Sequence, residues 1–274
     1  MTFLRLLLIF VALTCFQPGP ALAGASPAAP LAVGETWTID SAILGEQRRI
    51  NVYLPAGLAP GAALPVMYMP DGGMHEDFLH IAGLLQVGAG NGTMRPFLLV
   101  GIENTERRRD LTGPTEVEKD RSIAPRVGGA QAFRDFLRKE LMPEVAKRYR
   151  ITSERAIVGE SLAGLFVVET LALEPDLFDS YVAIDPSLWW NNGQLVKQLG
   201  ARPRAFAGEK ALVIAVSADG LASIDRSLLA AGFARMGKVR VGYDSWPDES
   251  HATVYHPAAL KAFRSLFKPA PAAP

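Results

Sequence analysis

Uninterrupted apolar runs alternate along this chain with longer stretches that carry an apolar residue every third or fourth position. Thr36 to Ile43 and Arg48 to Leu54 read as a strand pair turning at Gly45, and Pro65 to Met69 as a third strand stopped by Pro70-Asp71-Gly72-Gly73. Phe97 to Ile102, Arg155 to Gly159, Ser180 to Ile184, Ala211 to Ser217 and Lys238 to Tyr243 continue the strand series. Between them fall stretches of helical period. In Asp77 to Val87 the periodic residues are Phe78, Ile81, Leu84 and Leu85; in Gly129 to Arg150 they are Phe133, Phe136, Leu137, Leu141 and Val145, with a bend expected at Pro143. Leu162 to Leu173, Ile224 to Met236 and Pro257 to Phe267 are the later helices, and Glu103 to Arg126 is a polar excursion without a period. The strands lack polar alternation, so both faces are covered. The pattern predicts a single α/β domain over 35–267, a mostly parallel central sheet with helices on both faces.

Composition adds the compartment. Arg5, an apolar core from Leu6 to Phe16 and the small-x-small Ala21-Leu22-Ala23 form an export signal over 1–23, too short to span a bilayer, with the mature start at Gly24. Residues 24–34 read as a flexible lead-in and 268–274 as a disordered tail, both rich in Ala and Pro. The one cysteine, Cys15, lies inside the signal; the mature chain thus holds no thiol, which suits an oxidising periplasmic or extracellular setting. Acylation of Cys15 as a lipoprotein is the weaker alternative, because Thr14 before it is large. The 28 basic and 28 acidic residues balance, which argues against a nucleic-acid partner. No second long apolar stretch calls for stable membrane insertion, and oligomeric state is left open.

The chemistry concentrates in Ile157-Val158-Gly159-Glu160-Ser161-Leu162-Ala163-Gly164. An apolar run ends at Gly159 and a helical segment starts at Leu162, which lifts Ser161 onto a sharp turn. This matches the Gly-x-Ser-x-Gly elbow with Ala163 at the fifth position. The Leu162 amide then opens a helix, where an oxyanion can accept its hydrogen bond. A serine hydroxyl needs a base oriented by a third group. Of His75, His80, His251 and His256, His251 occupies the loop between the last strand and the last helix, the station for the base. For the acid, Asp219 after the strand ending at Ser217 comes first and Asp185 after the preceding strand is the alternative; Asp225, Asp248 and Glu249 stay open. Gly72 and Gly73 follow the third strand, where the second oxyanion donor is expected. Arg109, in Arg107-Arg108-Arg109, and the pair Trp189-Trp190 are candidate substrate contacts. His75 and His80 lie five apart, about 140° around a helix, which disfavours zinc.

Val66-Met67-Tyr68-Met69-Pro70-Asp71-Gly72, Gly159 to Phe166, Asp185-Pro186-Ser187-Leu188-Trp189-Trp190 and Ser250-His251 together resemble the α/β-hydrolase esterases related to ferric-siderophore (enterobactin-type) esterases and, more distantly, esterase D. The resemblance implies an α/β-hydrolase fold, Ser161 as nucleophile, His251 as base and no metal or organic cofactor. Asp185 stands where relatives often carry a serine, which keeps it in play as the acid, and the station of Asp219 often holds a different residue in relatives, so the resemblance carries over the third member least. The expected function is an exported serine carboxylesterase acting on a small-molecule ester through an acyl-enzyme. Acyl transfer to a sugar or lipid alcohol, and a non-catalytic binding protein on a hydrolase fold, are the alternatives.

Overall fold

The computed structural model describes residues 27–199, 206, 208–221 and 226–269. The segment expected to be an export signal and the last five residues of the tail lie outside them. From Val33 onward the chain forms one compact unit. Its strands are β1 (Glu35–Ser41), β2 (Glu46–Tyr53), β3 (Leu64–Pro70), β4 (Leu98–Ile102), β5 (Ile151–Glu160), β6 (Ser180–Ile184), β7 (Lys210–Ser217) and β8 (Val239–Trp246). They make one sheet in the order β1-β2-β4-β3-β5-β6-β7-β8. β1, β2 and β4 pair antiparallel, and every pairing from β4 to β8 is parallel.

Strict alternation along the central strands divides the core between two faces. In β3, Val66 and Tyr68 enter one apolar cluster while Met67 and Met69 enter the other. The first face is covered by α4 (Ala130–Phe136), a π-helical turn (Leu137–Leu141), α5 (Met142–Arg148), α6 (Leu162–Leu173) and α9 (Arg226–Arg235). The second is covered by α1 (Phe78–Gly90) and α10 (Tyr255–Leu266). Both apolar faces are therefore closed, as the unbroken strand runs require.

Three departures from the sequence expectation have physical causes. The helix expected to bend at Pro143 is instead perturbed one turn earlier. Pro143 lacks an N–H and its ring crowds the carbonyl of Lys139, and the π-helical turn at Leu137–Leu141 takes up that misfit. The polar excursion contains two single-turn helices, α2 (Arg107–Asp110) and α3 (Glu118–Arg121). A helical segment, α7 (Trp190–Gln198), follows β6 where none was expected; Asn191, Asn192 and Gly193 are left-handed within it, which breaks any apolar period. The short α8 (Ala218–Leu221) caps β7.

The polar excursion is anchored by an internal ion network. Arg48, fully buried on β2, meets Asp110 at 2.5 Å and Glu46 at 3.0 Å, and Arg109 binds both carboxylates as well. Such a buried set holds together only because every charge has partners. It fixes α2, and with it Arg107, against the carboxyl end of β3.

Candidate active site

Asp71, Ser161 and Asp185 each occupy the residue just after a strand, β3, β5 and β6 respectively, and each has positive φ: 57°, 58° and 42°. Left-handed backbone at non-glycine residues is costly and persists only where the surroundings impose it. The three strained positions lie together at the carboxyl rim of the parallel strands, where ligands bind in sheets of this kind.

The elbow is set by contact distances. A Cβ on Gly159 would stand 2.6 Å from the Ala163 Cβ, and one on Gly164 would stand 3.0 Å from the Ile184 carbonyl oxygen and from Pro186. Glycine is required at 159 because Ala163 fills the space above it, and at 164 because α6 crosses the segment after β6 at close range. The Ser161 amide donates to the Ile184 carbonyl at 3.0 Å, and the Ser187 amide donates back to the Ser161 carbonyl at 2.9 Å. The Ser161 hydroxyl lies 3.3 Å from the Ser187 hydroxyl. Among the described residues no hydrogen bond joins Ser161 to His251 directly; the 184–187 segment brings the two together, since it also carries Asp185.

Asp185, not Asp219, meets the imidazole. His251 Nδ1 lies 2.6 Å from Asp185 Oδ2. The same carboxylate accepts the Ser217 hydroxyl at 2.6 Å and the Ser217 amide at 3.0 Å. Burial acts to raise the proton affinity of Asp185, but the hydrogen bonds from His251 and Ser217 prevail and hold it below the usual carboxylate value of 3.8. His251 is pushed above 6.5, first by the hydrogen bond to Asp185, against burial, and then by the charges of Glu160, Asp185 and Asp219. Asp219 has a different contact: its Oδ2 accepts the backbone amide of His251 at 2.8 Å, so it ties down the loop and does not touch the ring. The sequence order of preference for the acid is thus reversed, because both aspartates follow strands and only side-chain direction separates them. Ser217, the last residue of β7, and Ser187 were not singled out beforehand. Their signal is position alone, at a strand end and two residues beyond Asp185.

The glycine turn behaves differently from expectation. The Gly72 amide donates to the Ile102 carbonyl at 3.0 Å, and the Gly73 amide donates to Glu76 Oε2 at 2.7 Å. Both amides are engaged. Gly72 is needed for another reason: a Cβ there would stand 2.3 Å from Gly101 and Ile102 backbone atoms, so the turn can fold back on β4 only without a side chain. The Leu162 amide, first in α6, lacks an intrahelical partner, as helix starts do.

Of the expected substrate contacts, Arg109 is clamped between Glu46 and Asp110 and is held fully protonated by them; it belongs to the ion network. Arg107 forks Asp71 at 2.6 and 2.8 Å. Arg108 is exposed and makes no side-chain hydrogen bond or ion pair among the described residues. It lines a cavity of about 380 Å³ with Arg107, Arg126 and Pro125. Trp190 is 4% exposed and donates Nε1–H to the Gly113 carbonyl at 2.9 Å, a structural role. Trp189 is 48% exposed. His80 pairs with Asp77 at 3.3 Å and packs its ring on Tyr255.

A mostly parallel, doubly covered sheet with a left-handed serine between β5 and α6 and an Asp–His pair beside it defines the α/β-hydrolase class. The family model described as "Putative esterase" matches residues 41–221, and the chain belongs to that esterase family. Among curated proteins it is similar to the ferri-bacillibactin esterase BesA of Bacillus subtilis, 33% identical over 175 residues that span 56% of this chain and 58% of that one. It is also similar to the siderophore triacetylfusarinine C esterase of Aspergillus fumigatus, 33% identical over 47% of this chain and 46% of that one. The chain therefore spans about half the length of the curated relatives it matches. A solved IroE-like serine hydrolase from Shewanella oneidensis superposes with a TM-score of 0.73 at 29% identity, covering 86% of this chain and 80% of the other. No helix among the described residues is long and apolar enough to cross a membrane.

Proposed function

We propose that the protein is an exported serine carboxylesterase that cleaves esters of the siderophore type through an acyl-enzyme. The observation that carries this is the 2.6 Å Asp185–His251 pair at the rim beside a left-handed Ser161. With Nδ1–H directed at Asp185, Nε2 is the basic nitrogen. A turn of the Ser161 side chain exchanges Ser187 for His251. Nε2 then takes the hydroxyl proton as Oγ bonds to the ester carbonyl carbon. The Leu162 amide stabilises the oxyanion. Collapse breaks the carbon–alkoxide bond, and His251 returns the proton to the departing alcohol. Water, deprotonated by His251, repeats the addition on the acyl-serine and releases the acid. The relatives named as siderophore esterases support the substrate class. The unpaired Arg108 guanidinium and the exposed Trp189 ring offer an anion fork and an aromatic wall near the same rim.

Fluorophosphonate treatment followed by intact and peptide mass measurement is the direct test. One adduct on Ser161, in a chain recovered from periplasm or medium and starting at Gly24, is expected. Folded protein without an adduct removes the catalytic reading, and a chain that keeps Met1 and is confined to the cytoplasm removes the export reading.

The pH profile follows from His251. The base works neutral, and its proton affinity is raised above 6.5. The kcat/KM on an uncharged ester should therefore rise with pH with a midpoint above that value. A panel of plain aryl esters and catecholate or hydroxamate siderophore esters, run under the same conditions, tests the substrate: cleavage of the aryl esters alone overturns the siderophore assignment.

A further inference from the structure

Glu160 is the last residue of β5 and stands between Gly159 and Ser161. It lies in register with Ile184, whose neighbour Asp185 holds the His251 ring. Side chains alternate along a strand, so Glu160 shares its face with Ala156 and Val158, both packed in the cluster beneath α1 and α10. Within electrostatic reach of Glu160 lie Asp71 and Asp77 from the β3–α1 turn, Arg107 from α2, Asp185 from the end of β6, His251 from the loop before α10 and Tyr255 at the start of α10. The neighbouring carboxylates are partnered: Asp71 by Arg107, Asp77 by His80, Asp185 by His251 and Ser217. The Glu160 side chain has no hydrogen bond or ion pair among the described residues. The Tyr255 hydroxyl, buried within electrostatic reach of Glu160, also lacks a partner.

We propose that Glu160 is a positioning residue that sets the protonation of His251 by its charge, so that the imidazole answers to two carboxylates: Asp185 by hydrogen bond and Glu160 through space. Glu160 is pushed up to about 7 in all: burial acts first, the charge of His251 opposes it, and the charges of Asp77, Asp185 and Asp71 add to it. Glu160 is in turn among the charges that raise His251, together with Asp185 and Asp219. Two groups that titrate in neighbouring ranges and feel each other share protons as a pair. An ionised Glu160 holds the proton on His251. A protonated Glu160 releases that hold, which keeps neutral imidazole available as the medium becomes mildly acidic. The acid limb then lies higher in pH, and is more gradual, than that of a base governed by Asp185 alone.

The coupling itself is independent of the esterase reading; only its kinetic expression rests on that reading. The test follows His251 by imidazole nitrogen NMR and, in parallel, the acid limb of kcat/KM on an uncharged aryl ester, for wild type, Glu160→Gln and Glu160→Asp. In Glu160→Gln the His251 midpoint should fall by about half a pH unit or more, about a threefold change in its neutral fraction on the acid limb. Glu160→Asp, which keeps the charge, should stay closer to wild type and shows that the site tolerates substitution. An unchanged midpoint in Glu160→Gln overturns the proposal, as does an equal shift in both variants, because charge would then not be the cause. A shifted NMR midpoint in a protein that hydrolyses no ester and takes no fluorophosphonate would leave the coupling standing and remove the catalytic reading instead.

Discussion

Ser161→Ala should lower kcat on an aryl ester by about 10⁶-fold, the loss seen when a nucleophile of this kind is deleted and only binding and oxyanion donors remain. The cost to folding should be small. The hydroxyl has one side-chain contact, 3.3 Å from Ser187, and alanine bears the positive φ at the elbow no worse than serine does. The melting temperature should therefore stay within a few degrees of wild type while turnover vanishes. The measurement is a single-turnover rate with a thermal melt on the same preparation. A rate within tenfold of wild type would show that another group attacks the ester.

Asp185→Asn should lower kcat by about 10⁴-fold, because an amide nitrogen facing Nδ1 selects the tautomer in which Nε2 already carries a proton. Asp219→Asn should cost less than about tenfold: an asparagine oxygen still accepts the His251 amide, and a single exposed hydrogen bond contributes little. The contrast between two aspartates at the same rim makes the pair informative. Steady-state kinetics on one ester settles it, and a larger loss at 219 than at 185 would reassign the orienting carboxylate. Ser217→Ala should fall between them, since it removes one of the donors that keep Asp185 ionised.

The strands were legible because their apolar runs are buried on both faces, and a fully covered strand needs no polar partner position to announce it. Ser161 was legible because a strand, a small residue and a helix start meet within five positions. The acid was not, because Asp185 and Asp219 hold equivalent places in the strand series. Their difference lies in where the carboxylates point after the backbone has turned left-handed at 185 and helical at 219. The oxyanion glycines misled for a related reason. Missing side chains are visible in a sequence, but the direction of an amide is not, and at Gly72 the missing side chain serves the approach to Gly101. Arg109 looked available among three arginines. Its capture depends on Glu46 and Asp110, one distant in the chain and one adjacent, around a buried Arg48.

The contacts of Ala163 and Gly164 bear on how such enzymes are recognised. The fifth position of the elbow tolerates a methyl group because its opposite number, Gly159, has none, while the crossing over Ile184 and Pro186 demands a bare α-carbon at 164. A search template that insists on glycine two places after the serine would pass over this chain. One that asks for a void at 159 and another wherever the helix meets the next strand would find it, and would admit relatives whose spelling differs but whose clearances agree.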